Sequence, residues 1–133
     1  MARILVVEDN AANMKLASLL LGNAGHSVLS AVDAEEGLLL ARKERPDLIL
    51  MDIQLPGMDG LAATVLLKDD PVTAGIPVIA VTAMAMTSDR EKTEDAGCDG
   101  YISKPLRYRE LYAAIDLLLG SSVPPSQPVA GQP

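Results

Sequence analysis

Three short runs of consecutive apolar residues constrain the fold of this chain more than any other feature of its sequence. They cover residues 4–7, 48–51 and 78–81. A strand that is apolar on both faces belongs in the middle of a parallel sheet that helices cover on both sides. Two weaker strand candidates lie at residues 27–31 and 100–103. The runs therefore predict a buried parallel sheet of five strands.

Five segments with helical signals lie between and after these runs. Residues 13–24 carry apolar side chains at helical spacing, and Gly25 is a plausible stop. Asp33 and Glu36 resemble a capping box that opens a helix reaching residue 44. Further helices are predicted over residues 59–68, 88–95 and 107–119. Strands and helices alternate through short turns, which predicts a doubly wound α/β domain.

The length and the distribution of proline predict one folded domain. A chain of 133 residues buries enough surface for a single core, and a second full domain does not fit. Residues 121–133 hold four of the nine prolines and no charge. We expect a domain over residues 1–120 and a disordered Pro-rich tail or linker remnant over residues 121–133.

The composition excludes several classes of function. The chain has no Phe or Trp, and its net charge of −7 opposes a phosphate backbone, so direct nucleic-acid binding is not expected. The single Cys98 excludes an intrachain disulfide and a zinc site built from cysteines. His26 is interpreted as a surface or turn residue and Cys98 as a small, partly buried filler. No apolar run approaches the roughly 20 residues that span a bilayer, and no signal peptide is recognisable, so we expect a cytoplasmic protein without membrane insertion.

Polar side chains follow the predicted strands where each one ends. Glu8 and Asp9 come after the first strand, Asp52 after the third, Thr82 after the fourth and Lys104 after the fifth. Ligands of an open α/β sheet bind outside the carboxyl ends of the strands. Any one of these residues alone is explained as well by a helix cap or a solvated loop. Together they predict a site at one edge of the sheet.

The three acids indicate a cation at this site. Carboxylates about 4 Å apart repel one another by about 4 kcal/mol at an effective dielectric of about 20, so the group needs a cation or a raised pKa. Mg²⁺ prefers a few protein oxygens together with water and phosphate. The sequence therefore predicts Mg²⁺ as the cofactor, held by Glu8, Asp9 and Asp52 with the backbone carbonyl of Gln54.

A phosphoryl group suits the remaining residues of the cluster. Lys104 is placed to meet one phosphoryl oxygen as a point charge, and Thr82 to donate a hydrogen bond to another. An aspartate carboxylate can itself form an acyl phosphate. Asp52, flanked by the ion, the hydroxyl and the ammonium, is the predicted phosphoacceptor.

The chain resembles the receiver domains of two-component response regulators. The resemblance covers residues 1 to about 120 and rests on residues 7–10, 47–60, 81–83 and 100–105, with the sequences VEDN, DLILMDIQLPGMDG, VTA and GYISKP. It implies a flavodoxin-like sheet of order 2-1-3-4-5, a known doubly wound arrangement. The family usually has two aspartates where this chain has Glu8 and Asp9, a variant that keeps metal coordination plausible.

The resemblance also implies roles and partners. A phosphohistidine of a histidine kinase or a histidine phosphotransfer protein donates to Asp52, Thr82 and Lys104 sense the phosphoryl group, and Tyr101 rearranges together with Thr82. The Lys104-Pro105 peptide is expected to be cis. The output is a changed affinity for a downstream signalling protein. The chain, a monomer or weak dimer, acts either as a phosphorelay intermediate or as an allosteric regulator. Such a module is not an enzyme, apart from catalysing its own phosphorylation and dephosphorylation.

Within the family, the motifs are similar to those of a stand-alone cell-cycle receiver of alphaproteobacteria. The alternative is a receiver excised from a larger hybrid kinase or regulator, because such receivers share these sequence motifs. Two other functions are weighed. An Asp-nucleophile phosphatase is disfavoured because Gln54 stands where its D-x-D pattern has the second acid, and a flavin carrier because aromatic residues are scarce.

The fourth helix, the fifth strand and the fifth helix form the predicted output surface. Residues 88–95 contain no apolar side chain, so this helix has little to anchor it and is the easiest to shift.

Overall fold

Five parallel strands alternate with five helices in the computed structural model, which describes residues 2–83 and 87–120. The strands are β1 Arg3–Val7, β2 Ser27–Ala31, β3 Leu48–Asp52, β4 Val78–Thr82 and β5 Gly100–Ser103. The helices are α1 Ala11–Asn23, α2 Ala34–Glu44, α3 Gly60–Asp69, α4 Thr87–Asp95 and α5 Tyr108–Leu119. The predicted elements are therefore all present in the predicted order.

The sheet has the order β2-β1-β3-β4-β5, and all of its pairings are parallel. The predicted doubly wound five-stranded architecture is confirmed. Every residue of β3 and β4 is buried, whereas β2 and β5 lie at the edges and are only partly buried. Edge strands need fewer apolar residues, which explains why these two strands gave the weaker signals.

Alternate side chains of the central strands enter two separate cores, one on each face of the sheet. Ile4 and Val6 of β1 pack into the core that α1 and α5 cover. Leu5 and Val7 pack into the core that α2 and α3 cover. Because successive side chains of a strand point to opposite faces, a strand between two helical layers must be apolar throughout. This is the physical origin of the uninterrupted apolar runs.

Side-chain caps set where three of the helices begin. Asn10, Asp33 and Asp59 each accept a backbone N–H three residues along the chain, at 2.8 to 2.9 Å. Since Asn10 is the cap of α1, this helix begins at Ala11, two residues before the predicted start. The predicted capping box at α2 is also modified, because the Glu36 carboxylate accepts the N–H of Val32 rather than that of Asp33.

His26 has a structural contact that the sequence did not predict. Its Nδ1 atom accepts the backbone N–H of Ala2 at 3.1 Å, and the Ser27 N–H donates to the Ala2 carbonyl at 2.9 Å. The half-buried imidazole therefore satisfies a donor at the start of β1. The interpretation of His26 as a simple turn residue was incomplete.

In residues 2–83 and 87–120, no helix has both the length and the apolar character that crossing a membrane requires. The predicted tail at residues 121–133 lies outside the described part of the chain.

Candidate functional site

The carboxyl ends of β1 and β3 bring three carboxyl groups together. Glu8 and Asp9 follow β1, Asp52 is the last residue of β3, and one oxygen from each lies within 4.8 Å of the others. Glu8 and Asp52 are buried, whereas Asp9 is exposed. The cluster predicted from the strand ends is therefore present, with two acids shielded from water and one open to it.

Lys104 places its ammonium group between the two buried acids. Its Nζ atom lies 3.0 Å from Oδ2 of Asp52 and 3.2 Å from Oε1 of Glu8. Burial alone lowers the pKa of a lysine, but the hydrogen bonds and charges of Asp52 and Glu8 outweigh it and raise the pKa of Lys104. The ammonium therefore stays charged and offsets part of the negative charge of the cluster.

The carboxyl group of Glu8 is harder to ionise than an ordinary glutamate. Burial raises its pKa, and the negative charge of Asp52 raises the pKa further. The backbone N–H of Asn10, which donates to Oε2 at 3.0 Å, and the ammonium of Lys104 act in the opposite direction. An added cation would relieve the repulsion between Glu8 and Asp52.

The backbone around Asp52 is fixed by short connections to its neighbours. The Ile53 N–H donates to the Val81 carbonyl at 3.0 Å, and the Gly60 N–H donates to the Ile53 carbonyl at 2.9 Å. A Cβ atom on Gly60 would overlap the Asp52 carbonyl, so only glycine allows α3 to begin this close to β3. The Gln54 N–H donates to Oδ1 of Asp52 at 3.0 Å. These contacts leave the carboxylate little freedom.

The other predicted site residues occupy different positions around this cluster. Thr82 is buried at the end of β4, one residue after Val81, which pairs with Asp52. Gln54 is exposed just beyond β3. The Lys104-Pro105 peptide is cis. Tyr101 is half-buried on β5 opposite Ala80, two positions before the end of β4. The centre of the site is formed by Glu8, Asp9, Asp52 and Lys104. Tyr101 lies away from it, nearer the amino end of β5.

One contact near the site was missed by the sequence reasoning. The guanidinium carbon of Arg90 lies 5.9 Å from the centre of the Tyr101 ring, within the range of a cation–π interaction. It joins α4 to β5. An arginine on one element and a tyrosine on the next give no sequence signal of their pairing.

Comparison with known proteins decides what kind of site this is. A profile of the response regulator receiver domain matches residues 4–116. The chain belongs to the response regulator receiver family. The resemblance seen in the motifs is thereby confirmed.

Curated relatives of this receiver include the polar-differentiation response regulator DivK. DivK of Brucella anthropi is 47% identical over 119 residues, which cover 90% of this chain and 97% of DivK. DivK of Brucella ovis is 46% identical over the same length. The similarity to a stand-alone receiver that the motifs indicated is therefore confirmed.

Solved structures agree with the fold and with a metal-binding pocket. The receiver domain of a sensor histidine kinase from Pseudomonas aeruginosa, solved with a magnesium ion coordinated in its active-site cleft, matches with a TM-score of 0.84 and 35% identity. That match covers 90% of this chain and 98% of the other. A CheY-like receiver from Methanospirillum hungatei matches with a TM-score of 0.82 and 32% identity, over 90% of this chain and 94% of the other.

The acidic pocket of this receiver fits a phosphoacceptor site with Mg²⁺. Receiver domains bind Mg²⁺ at this acidic site, and Glu8, Asp9 and Asp52 supply hard carboxylate oxygens close enough together to share an ion. The chain is therefore a response regulator of two-component signalling, a class of signalling protein rather than a classical enzyme.

Proposed function

We propose that Asp52 accepts a phosphoryl group from a phosphohistidine of a histidine kinase or histidine phosphotransfer protein. The phosphorus–nitrogen bond of the donor breaks, a phosphorus–oxygen bond to the Asp52 carboxylate forms, and the imidazole nitrogen keeps the electron pair. The observation that carries this proposal is the environment of Asp52. Its side chain is only 2% exposed, beside an ammonium group at 3.0 Å and two further acids.

Four groups would hold Mg²⁺ at this site. They are the carboxylates of Glu8, Asp9 and Asp52 and the backbone carbonyl of Gln54. The ion, when bound, would offset the negative charge that the carboxylates of this cluster and the phosphoryl group bring together. Glu8 fits this role in place of the usual aspartate, because its carboxylate lies within the same cluster of oxygens.

Lys104 and Thr82 are proposed to bind the phosphoryl group once it is on Asp52. The ammonium of Lys104 already lies 3.0 Å from the acceptor oxygen, so it moves to a phosphoryl oxygen over a short path. Thr82 is one residue beyond the pairing partner of Asp52 and donates its hydroxyl to a second oxygen. Charge-assisted hydrogen bonds of about 1.5 to 3 kcal/mol each can supply the energy for a conformational shift.

Movement of Thr82 is proposed to draw Tyr101 inward and to alter the surface formed by α4, β5 and α5. Supporting this, the Tyr101 ring contacts Arg90 of α4, so a change at the ring reaches that helix directly. A downstream signalling protein that binds this surface would then distinguish the phosphorylated from the unphosphorylated form. Moving such an equilibrium from 1:99 to 99:1 takes about 5.5 kcal/mol.

Labelling with a small phosphodonor tests the acceptor. Wild-type protein incubated with acetyl phosphate and Mg²⁺ is expected to gain one phosphoryl group that chelator prevents, and Asp52→Asn to gain none. Asp116→Asn, which changes an exposed acid of α5, serves as the matched control and should label like the wild type. Equal labelling of wild type and Asp52→Asn would reject the assignment. Labelling by small donors would also show that the domain catalyses its own phosphorylation.

Amide chemical shifts test the switch separately. Adding beryllofluoride and Mg²⁺ should shift amide resonances from the site through residues 83–112. Changes confined to residues in contact with the phosphoryl mimic would reject the switch while leaving phosphorylation intact. Phosphotransfer from each histidine kinase of the organism would then identify the donor.

We further propose that residues 1–120 are a self-sufficient receiver acting as a stand-alone cytoplasmic regulator, monomeric or weakly dimeric. The alignment with DivK of Brucella anthropi covers 97% of that protein, which supports this role. Truncation after Gly120 should leave labelling and the melting temperature nearly unchanged. A loss of several degrees would show that residues 121–133 stabilise the domain.

A further inference from the structure

A group of basic and apolar side chains, here called the basic patch, lies at the end of α2. Its members line one shallow surface groove: Leu39, Arg42, Lys43, Arg45 and Val72. Leu39 is 70% exposed and Val72 is 42% exposed. Two exposed apolar side chains therefore share this groove with three cationic residues.

The basic patch lies at the edge of the sheet opposite to Asp52. α2 ends at Glu44, just before β3 begins at Leu48, and Val72 lies in the connection before β4. Both segments therefore stand at the amino ends of the strands, whereas the acidic site stands at the carboxyl ends. A partner bound at the basic patch leaves the phosphoacceptor uncovered.

The charge of the basic patch is opposite to that of the molecule. The chain has a net charge of −7 and only 11 Lys and Arg residues, of which three fall within residues 42–45. Arg42 is paired with Asp70 at 2.6 Å. Within the described part of the chain, the exposed side chains of Lys43 and Arg45 make no hydrogen bond or ion pair. Two cations are therefore available to a partner.

Arg45 also occupies an unfavourable backbone conformation. Its φ and ψ are 46° and 65°, in the left-handed region, and Pro46 follows it. The same C-terminal position of α5 is filled by Gly120, with φ 67°. Glycine adopts this conformation without a steric cost, whereas another residue is strained, and a following proline adds a restriction. Such strain at an exposed residue is typical of functional positions.

Stabilisation of the helix end explains only part of this arrangement. Cations in the last turn interact favourably with the helix dipole, which accounts for Arg42 and Lys43. It does not account for arginine instead of glycine at position 45, nor for the exposure of Leu39.

We propose that the basic patch binds an acidic segment of a partner protein, which places one apolar side chain between Leu39 and Val72. Charge complementarity favours this occupant over the others. Residues 121–133 contain no acid, and a nucleic-acid backbone offers no apolar side chain to place between Leu39 and Val72. A second copy of the chain offers the acidic α4, which has no apolar residue to fill the groove. A contact between two different faces of identical copies would also not close into a dimer.

The probe is a short synthetic peptide rich in Glu that carries a pair of Leu residues. In titrations followed by amide chemical shifts, this peptide should perturb residues 39–45 and 70–73 of the full chain. A control peptide with Ser in place of both Leu should bind more weakly. The double variant Lys43→Glu with Arg45→Glu should lose about tenfold in affinity. Lys15→Glu, which reverses an exposed charge on α1, is the matched control and should bind like the wild type.

Arg45→Gly separates binding from stability. Relief of the backbone strain should raise the melting temperature by about 2 to 4 °C, while loss of the guanidinium lowers the affinity for the peptide. Equal affinity of the peptide for wild type, the double variant and Arg45→Gly would overturn the proposal. So would self-association that Leu39→Ser abolishes, if the peptide does not bind, because the occupant would then be a second copy.

Discussion

The carboxylate of Asp52 has one oxygen bound to the Gln54 N–H and the other to the ammonium of Lys104, each at 3.0 Å. The lysine therefore occupies a place beside the acids where a divalent cation is expected to bind. Lysine and metal ion repel one another, so their occupancy of this site is coupled.

Replacing Lys104 with methionine should strengthen Mg²⁺ binding by roughly tenfold, because the repulsion between the ammonium and the ion is removed. Isothermal titration calorimetry with MgCl₂ measures the affinity. Lys15→Met removes an exposed charge of α1 and should leave it unchanged. Unchanged or weaker binding by Lys104→Met would contradict the coupling.

Glu8 should make the stability of the metal-free protein depend on pH. Its pKa is raised above the ordinary value of 4.5 by burial, so the folded state holds the proton more tightly than the unfolded state. The free energy of unfolding of the wild type should therefore fall relative to Glu8→Gln as the pH rises from 4.5 through the raised pKa. Lys104 stays charged throughout, since its pKa is raised as well. Urea unfolding in chelator from about pH 4 to about pH 8 measures the difference in free energy of unfolding between the wild type and Glu8→Gln. A difference that does not change with pH would contradict the prediction.

Gly60→Ala should destabilise the domain by about 2 to 3 kcal/mol, because the added methyl group meets the backbone of Asp52 and Ile53. Labelling of Asp52 should fall with it. Gly22→Ala is the matched control, since a Cβ there meets nothing within 4 Å. In a helix, that change should stabilise the domain by about 0.5 to 1 kcal/mol. Denaturant unfolding measures the free energy of unfolding of both variants. A similar change in the two variants would show that β3 and α3 can move apart without loss of stability.

Tyr112→Phe should lower the free energy of unfolding by about 1 kcal/mol. The Tyr112 hydroxyl donates to the Leu20 carbonyl at 2.7 Å, and the variant leaves this carbonyl without that donor. Tyr108→Phe provides the comparison, because Tyr108 is exposed and, among the described residues, its hydroxyl accepts a hydrogen bond only from the neighbouring Arg109. A loss of stability in Tyr108→Phe as large as that in Tyr112→Phe would argue against a specific role of this bond.

The sequence predicted those features that follow from chain order and periodicity. Asp52 and Lys104 are far apart in the chain, yet their contact could be anticipated because the carboxyl ends of parallel strands share one edge. The strands β3 and β4 could also be predicted, because a strand covered on both faces must be apolar throughout.

Contacts that depend on how helices dock could not be predicted in this way. The bond from Tyr112 to Leu20 needs the relative positions of α5 and α1, which no local pattern encodes. Glu36 was correctly placed near a helix start, but which N–H it accepts depends on the path of the chain out of β2. The division of the Lys104 ammonium between Asp52 and Glu8 depends likewise on side-chain conformations within the folded site.

The central position of β3 has a consequence for the timing of phosphotransfer. This strand is flanked by β1 on one side and β4 on the other, so the acceptor carboxylate is held by the interior of the sheet. The acceptor is preorganised: its orientation is established when the domain folds, and only the donor imidazole has to be aligned during the encounter. On heating, acceptor competence should therefore disappear together with global unfolding and not before it.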